Sequence, residues 1–433
     1  MNNILSDYLD PNFGDDGVIA VGLKEQIGGK IARRHDGAFL ITGSRGSNKE
    51  QGSSSARVRK TPWDDNFLDD HQPVNRLGNA LLTVKLTAEG VLDTTYGEYG
   101  YAELPYFGHP VTPGAAVVLP DDSVIMAMFL HDLPNPDHAS LCILKILADG
   151  SQDTTFGTNG IFRPDLKYPW AEGSHIVLTN DKKILITTRN IRGFDDSTWV
   201  LMQIDTDGKP DREFGTGGFV YGLAGWQFYG VSVSPKGNIY LPGAYKKDLA
   251  VPHVDMAVFC YTQSGTISTD FGEQGLFTYT LTPQSEATAI ELGEEAVYIA
   301  AHTAPDSGLL FLKLTMTGEM DPDYNGGRPL SLQLAGKNFY CDELFIRRSG
   351  KTVAAATTFS EEGKLTLTQI NQDGTVDNYF GYEGTVYESI EGHLSYDFGE
   401  LVDDKLLVAG TLVINRPGEG TSFWIAQYLL GTD

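Results

Sequence analysis

Five short segments of the sequence carry aromatic side chains of the kind that bind ligands. They are Tyr106-Phe107, Tyr168 to Trp170, Trp226 to Tyr229, Phe339-Tyr340 and His393 to Tyr396. Rings of Trp and Tyr combine an apolar face with a polar edge, which suits a sugar, a peptide or a cationic group. We expect a concave, partly apolar and acidic ligand site built from Tyr106, Trp170, Trp226, Tyr229, Tyr340 and Tyr396. The alternative role for each ring is packing between neighbouring elements of the scaffold.

Residue patterns for catalysis are scarce. The nine histidines show neither HxxxH nor HExxH spacing, and the sequence contains no nucleophile elbow and no phosphate-binding glycine loop. Adjacent carboxylates occur in turn or loop segments, where we expect them to be solvated: Asp121-Asp122, Asp195-Asp196 and Glu361-Glu362. A general acid and base must converge in one pocket, and a pair supplied by two distant segments would leave no trace in the spacing.

The three cysteines do not form a metal-binding pattern or a disulfide framework. Cys142 and Cys260 lie in apolar strand-like runs, and Cys341 is expected in a loop. We interpret them as small buried residues or free thiols. The sequence therefore predicts no metal site and no cofactor.

Charge narrows the range of partners. The 433 residues include 32 Lys and Arg against 57 Asp and Glu, which gives a formal net charge of −25 spread along the whole chain. Such a protein repels phosphates, so we expect neither nucleic acid nor an anionic membrane as a partner.

Sequence features of membrane insertion and secretion are also missing. No apolar run reaches the length of about 18 residues that a membrane span requires. Residues 1–8 lack the basic and apolar segments of a signal peptide. The compartment stays undetermined between the cytoplasm and export by a leaderless route, and we expect a monomer.

The elements that must position these residues are repeats. A motif of the form Asp-x-x-aromatic-Gly occurs seven times, with Ser268 in place of Asp in one copy and Asn325 in place of Gly in another. Its aromatic residues lie 83, 60, 58, 57, 53 and 56 residues apart. Its copies are Asp10 to Gly14, Asp93 to Gly97, Asp153 to Gly157, Asp211 to Gly215, Ser268 to Gly272, Asp321 to Asn325 and Asp377 to Gly381. Repetition at this period indicates an array of equivalent small units.

The motif itself predicts a structural turn. Its Asp can accept a hydrogen bond from the amide two residues on, its Gly permits positive φ, and its aromatic ring can cover the end of a sheet. Calcium binding is the alternative, but Ca²⁺ requires six to eight converging oxygens, and one short acidic turn per repeat does not supply them.

Within each repeat, apolar residues alternate with period two in four short runs, which predicts a four-stranded antiparallel meander. Seven such sheets predict an all-β protein, and closure into a ring would leave few free sheet edges. The last repeat lacks its fourth strand, so we expect residues 17–23 to pair with the strand at Phe423 to Tyr428. We expect residues 1–433 to form one domain, with an insertion at 45–78 in the first repeat. That insertion is either a tolerated surface loop or a lid or partner arm.

Several segments of these repeats resemble the delta-60 repeat family of bacterial proteins. The resemblance covers nearly the whole chain and is carried by Ala148 to Gly160, Asp207 to Gly218, Lys183 to Ile186 and Lys405 to Gly410. The segment Gly230 to Leu241 is also similar to NHL propeller repeats. The resemblance implies a seven-bladed β-propeller whose innermost strand precedes the hairpin of each repeat. It implies little about activity, because the repeat defines the family.

Three functions are compatible with this fold. We expect a non-enzymatic binding scaffold that presents one loop-rich face to a glycan, a peptide or a protein. The alternative is a propeller hydrolase or lyase acting on carbohydrate, with acidic residues at the channel mouth. A third alternative is a subunit of a larger surface or toxin assembly.

Overall fold

The computed structural model describes residues 8–22, 26–45, 80–104, 109–131, 138–193, 196–223, 225–247, 253–281, 284–304, 308–334, 339–358, 364–389, 393–413 and 421–431. The insertion predicted at 45–78 lies outside the described residues from residue 46 onward.

The protein is all-β, with seven antiparallel sheets as the blades of a seven-bladed β-propeller. This confirms the predicted fold class. In the segments just given, no residue lies in a helix, and hence none lies in a helix long and apolar enough to span a membrane. The chain divides into a smaller compact unit, Lys24–Gly173 with Asn190–Asp195, and a larger one, Met1–Leu23 with Ser174–Arg189 and Asp196–Asp433.

The first three blades contain twelve strands. Blade 1 consists of β2 (Gln26–Arg33), β3 (Phe39–Arg45), β4 (Ala80–Leu86) and β5 (Tyr101–Glu103). Blade 2 consists of β6 (Val111–Val118), β7 (Val124–His131), β8 (Ala139–Ile146) and β9 (Ile161–Phe162). Blade 3 consists of β10 (Trp170–Leu178), β11 (Ile184–Gly193), β12 (Asp196–Ile204) and β13 (Phe219–Tyr221).

The remaining blades belong to the larger unit. Blade 4 consists of β14 (Trp226–Phe228), β15 (Ser232–Val233), β16 (Ile239–Tyr245), β17 (Asp255–Tyr261) and β18 (Leu276–Tyr279). Blade 5 consists of β19 (Gln284–Leu292), β20 (Ala296–Ala304), β21 (Leu309–Thr315) and β22 (Leu330–Leu332). Blade 6 consists of β23 (Phe339–Ile346), β24 (Thr352–Thr358), β25 (Lys364–Ile370) and β26 (Thr385–Ser389). Blade 7 consists of β27 (His393–Val402), β28 (Lys405–Val413), β29 (Thr421–Leu429) and β1 (Val18–Gly22).

Blade 7 is completed by the N-terminal strand, as the sequence predicts. β1 pairs antiparallel with β29 in a register that runs from Val18 opposite Ala426 to Gly22 opposite Ser422. The residues before β1 extend the contact, because the Leu429 amide donates to the Tyr8 carbonyl at 2.6 Å. Tyr8 also packs edge-on against Phe380 of blade 6.

The repeated motif forms the turn that its residues predict. In the six copies that begin with Asp, Oδ1 accepts a hydrogen bond from the amide two residues on, at 2.9 to 3.2 Å. The aromatic ring of every copy is buried: Phe13, Tyr96, Phe156, Phe214, Phe271, Tyr324 and Phe380.

The same motif joins consecutive blades. After the aromatic residue, the next amide donates to a carbonyl in the turn that follows the third strand of the next blade. In the larger unit these bonds run from Gly215 to Ser264, from Gly272 to Thr317 and from Asn325 to Asp373, at 2.7 to 2.8 Å. At the end of the chain, the Tyr8 phenol replaces that carbonyl and accepts from the Gly381 amide at 2.7 Å. The N-terminal segment therefore supplies both a missing strand and a missing turn contact.

Each motif aspartate also pairs with one lysine, and the lysine comes from either of two positions. It lies in the third strand in the pairs Lys85–Asp93, Lys145–Asp153 and Lys313–Asp321. It lies at the first residue of the second strand, or directly before it, in the pairs Lys183–Asp211, Lys351–Asp377 and Lys405–Asp10. The copy that has Ser268 in place of Asp has Cys260 at the third-strand position, so both charges are absent together. A partly buried carboxylate is stabilised by a cation, which explains this exchange.

We expect the free energy of unfolding to fall as the pH is lowered from about 5 to about 2. The Lys405 hydrogen bond lowers the pKa of Asp10 to about 2, and the Thr95 hydroxyl and Lys85 do the same for Asp93. Because these pKa values lie below those of the unfolded chain, the stabilisation is present above the unfolded pKa and is lost on acidification. Urea unfolding of wild type and Asp10→Asn across this range measures the effect. An equal acid dependence of both proteins would contradict the role given to Asp10.

One local expectation was wrong. Cys341 lies inside β23 and is buried, because a β-bulge at Asp342 interrupts the alternation that would have marked the strand. In blade 4 the first strand is divided into β14 and β15, which both pair with β16. Pro242 of β16 has no N–H for the ladder, and the Tyr229 amide bonds its carbonyl at the point of division.

Candidate functional site

Five of the six predicted ligand-binding rings lie in described residues, at or near the beginning of the first strand of a blade. Trp170 begins β10 and Trp226 begins β14, while Tyr229 follows β14; Tyr340 and Tyr396 lie in the first half of β23 and β27. All five residues are half-buried. Tyr106 lies outside the described residues. The strand starts therefore hold rings that keep part of their surface accessible.

In the smaller unit, Trp170 is positioned by a stacked ring and by a buried amide. The His138 ring stacks on it with centroids 3.5 Å apart and an interplanar angle of 14°. The Asn190 side chain is fully buried and donates to the carbonyls of Tyr168 at 2.8 Å and Trp170 at 2.7 Å. Its Oδ1 accepts from the Tyr168 amide at 2.8 Å. The segment before β10 is thus fixed by three hydrogen bonds from one residue.

Blade 4 holds Trp226 and Tyr229 against other aromatic rings. Trp226 packs on Phe259 with centroids 4.5 Å apart, and Tyr229 meets the edge of Trp199 at 5.9 Å and 85°. The Tyr229 phenol donates to the side-chain oxygen of Gln227. Both rings are therefore oriented by the scaffold before any ligand binds.

Tyr340 stacks on a histidine of the preceding blade. Its ring lies 4.1 Å from that of His302 at an angle of 18°. His302 is buried in β20, and burial lowers its pKa to about 4. The imidazole is neutral at neutral pH, so it supports Tyr340 as a flat ring rather than as a cation.

Tyr396 contacts a carboxyl group of blade 6. Its phenol donates to Glu343 Oε2 at 2.6 Å, and burial keeps its own pKa well above the usual range. Burial also raises the pKa of Glu343 to about 7, while the phenol works against that rise. Burial raises the pKa of Glu291 in β19 to about 7 as well. Tyr396 is therefore in direct contact with a carboxyl group whose pKa burial has raised.

Aspartates occupy the β-bulges of two neighbouring first strands. Asp342 lies at the bulge of β23 and Asp397 at the bulge of β27. Each accepts a hydrogen bond from a threonine of the second strand, Thr357 at 2.8 Å and Thr411 at 2.6 Å. These carboxylates add negative charge next to the candidate rings.

Five polar residues of this region were not predicted from the sequence: Glu291, His302, Asp342, Glu343 and Asp397. The run Asp342-Glu343 was a detectable signal, since two carboxylates in succession are unusual in a buried strand. The pairing of Glu343 with Tyr396 had no signal, because the two residues lie in different repeats. Of the carboxylate pairs that we expected to be solvated, Asp121 lies in a hairpin turn and accepts the Ser123 amide at 3.1 Å. Asp195 and Glu361-Glu362 lie outside the described residues.

All three cysteines lie in described residues. Cys142, Cys260 and Cys341 are free and buried. Within the described ranges, no three His, Cys, Asp or Glu side chains converge in a way that could hold a metal ion.

Comparisons with known proteins identify the fold. No protein-family profile matches the chain, and no curated sequence matches it. Among solved structures, a polysaccharide lyase described as a PL25 ulvan lyase bound to -[GlcA(1-4)Rha3S]- has a TM-score of 0.52 and 10% identity, with 96% of each chain covered. Polysaccharide lyase Uly1 has a TM-score of 0.49 and 10% identity, over 93% of this chain and 90% of that one. A Dyadobacter fermentans protein of unknown function has a TM-score of 0.47 and 9% identity, over 96% and 98%. The similarity to the PL25 ulvan lyase, at 10% identity, shows the fold alone.

Proposed function

We propose that the protein is a non-enzymatic propeller that binds a glycan through the rings at the starts of its first strands. The observation that carries this proposal is that Trp226, Tyr229, Tyr340 and Tyr396 of the larger unit are half-buried, and that each is held by a partner of its own. A ring fixed in advance loses little conformational entropy when a sugar stacks on it. Half-buried rings next to hydrogen-bonding groups are typical of carbohydrate sites.

Charge indicates the class of glycan. Asp342, Glu343 and Asp397 lie in the same two strands as Tyr340 and Tyr396, and the protein carries a formal net charge of −25. Uronate or sulfate groups would be repelled from this surface, whereas neutral or amino sugars would not. We therefore propose a neutral or cationic glycan.

The first test is a binding screen with neutral hexasaccharides of glucose, N-acetylglucosamine and mannose, and with an oligoglucuronate for comparison. We expect one or more neutral probes to bind and the oligoglucuronate not to bind. For a probe that binds, we expect Trp226→Ala and Tyr340→Ala each to raise Kd by about tenfold or more, because each removes a stacking face. Isothermal titration measures both effects.

Tyr379→Ala is the matched control, since Tyr379 is 98% exposed and lies in the repeat motif rather than at a strand start. We expect this variant to bind as wild type does. Unchanged binding in Trp226→Ala and Tyr340→Ala variants that keep their fold would contradict the proposed site.

The second candidate function is a hydrolase or lyase acting on carbohydrate. It is favoured by Glu343 and Glu291, since a carboxyl group with a pKa near 7 can serve as a general acid or base at neutral pH. The ulvan lyase named above shows that a protein of this fold can act on a polysaccharide. Formation of reducing ends or of unsaturated sugars from the hexasaccharides, abolished by Glu343→Gln, would favour this function over binding alone.

Two wider expectations remain proposals. Membership of the delta-60 repeat family is supported by the repeated motif and by its seven-blade arrangement. A role as a subunit of a larger assembly would require a protein partner on the same face. Pull-down with the Trp226→Ala variant as a negative control tests that role.

A further inference from the structure

Three consecutive first strands of the larger unit bring acidic groups together. β19, β23 and β27 begin blades 5, 6 and 7, and β23 contacts both of the others. From β27, the Tyr396 phenol donates to Glu343 at 2.6 Å, and the Gly399 amide donates to the same carboxyl group. From β19, Glu291 lies close enough for its charge to act on Glu343. Glu343 therefore accepts a hydrogen bond from blade 7 and is exposed to the negative charge of a carboxyl group from blade 5.

Glycine at position 399 makes this contact possible. A Cβ atom there would clash with Tyr396 Oη and Phe345 Cζ and would lie 3.0 Å from Glu343 Oε2. These approaches are closer than van der Waals contact, so a larger residue would displace the phenol or the carboxyl group.

The contact is not part of the repeated scaffold. The bulges of β19, β23 and β27 align the three strands, and the residue after the bulge is Ala289, Glu343 or Phe398. The residue before the bulge is Ala287, Cys341 or Tyr396. Glu343 of blade 6 and Tyr396 of blade 7 thus occupy bulge-flanking positions at which blade 5 has Ala287 and Ala289. This difference indicates a role beyond holding a blade together.

The titratable groups that act on Glu343 include Glu291 on β19, Tyr396 on β27, and Asp342 and Cys341 on its own strand. Asp342 also accepts the Thr357 hydroxyl at 2.8 Å. When Glu343 and Glu291 are both ionised, two like charges share a largely desolvated region, which is unfavourable. A proton bound by either group removes that repulsion.

We propose that Glu343, together with Glu291, couples proton binding to the packing of the first strands of blades 5, 6 and 7. Proton uptake by these carboxyl groups stabilises the packing of β19, β23 and β27 around Tyr396. This coupling goes beyond the proposed glycan binding and does not depend on it. Burial raises the pKa of both carboxyl groups above that of the unfolded chain, to about 7. The native state therefore binds more protons than the unfolded state between about pH 4.5 and 7, and stability falls as the pH rises through that window.

The test is thermal unfolding of the full chain at intervals from about pH 5 to about pH 8. The proteins compared are wild type, Glu343→Gln, Glu291→Gln, Tyr396→Phe and the control Glu319→Gln, whose carboxyl group lies in an exposed turn. We expect Tm of the wild type and of the control to fall across this range. In Glu343→Gln we expect about half of that fall, because Glu291 still titrates, and Glu291→Gln gives a second measurement if Glu343→Gln does not fold. Histidine titration is common to all five proteins and does not affect the comparison.

Tyr396→Phe separates proton linkage from a merely structural role. The phenol favours the ionised form of Glu343, so its removal moves the midpoint of the Tm change to higher pH. Equal pH dependence in wild type and both glutamine variants would overturn the proposal, as would an unmoved midpoint in Tyr396→Phe.

Discussion

Deletion of residues 1–22 is expected to destabilise the protein by about 4 kcal/mol or more, because it removes the buried side chains of Phe13 and Ile19. It also exposes the edge of β29 and leaves Lys405 without Asp10, whose Oδ2 it contacts at 2.6 Å. Urea unfolding of the truncated chain against the full chain measures the loss.

A peptide of residues 1–22 added to the truncated chain provides the control. If β1 and the Tyr8 segment act as a separable strand and turn, the peptide raises Tm of the truncated chain in proportion to its concentration. The same peptide with Tyr8→Ala and Asp10→Asn is expected to restore less, since it lacks the contacts to Gly381, Lys405 and Gln427. Equal stability of truncated and full chains would contradict the closure of blade 7 by its N-terminal strand.

Phe380→Ala is expected to cost about 3 to 5 kcal/mol, whereas Tyr379→Ala at the neighbouring position is expected to change stability by less than about 0.5 kcal/mol. Phe380 is 3% exposed and contacts Tyr8, while Tyr379 is 98% exposed. Denaturant unfolding of the two variants compares a buried and an exposed ring within one motif.

Comparison of Phe380→Ala with Tyr379→Ala also tests whether the repeated motif has a purely structural role. A small effect of Phe380→Ala would mean that the buried ring does not hold blade 6 to the N-terminal segment. A large effect of Tyr379→Ala would mean that its exposed ring has a partner in solution. Either result would require a different account of the repeated turn.

The sequence predicted the fold well because the motif residues act locally. Asp10, Gly14 and their equivalents form turns whose hydrogen bonds span two residues, and such turns are encoded within a few positions. The period of the motif then fixed the number of blades, and the missing strand of the last repeat identified β1 as its partner. The pairing of Val18 with Ala426 confirms that reasoning.

The site was less predictable because it depends on contacts between repeats. The aromatic residues were recognisable by type, but their orientation depends on His138, His302 and Asn190, each distant in sequence from the ring it fixes. The bulges at Asp342 and Asp397 break the period of two, so the alternation gave no indication of where those carboxylates would point. The lysine that pairs with the motif aspartate comes from the second strand in some repeats and from the third strand in others. Its role could be recognised only in the structure, where both positions face the aspartate.

Hydrogen exchange with mass spectrometry on the intact protein, with and without a saturating neutral hexasaccharide, tests the proposed binding face most directly. We predict protection at the starts of the first strands, in residues 226–229, 339–341 and 393–396, and none in the hairpin turn at Asp403 and Asp404. Protection confined to that hairpin or to the repeat-motif turns, or no protection at any strand start, would contradict the assignment of the aromatic rings to ligand binding.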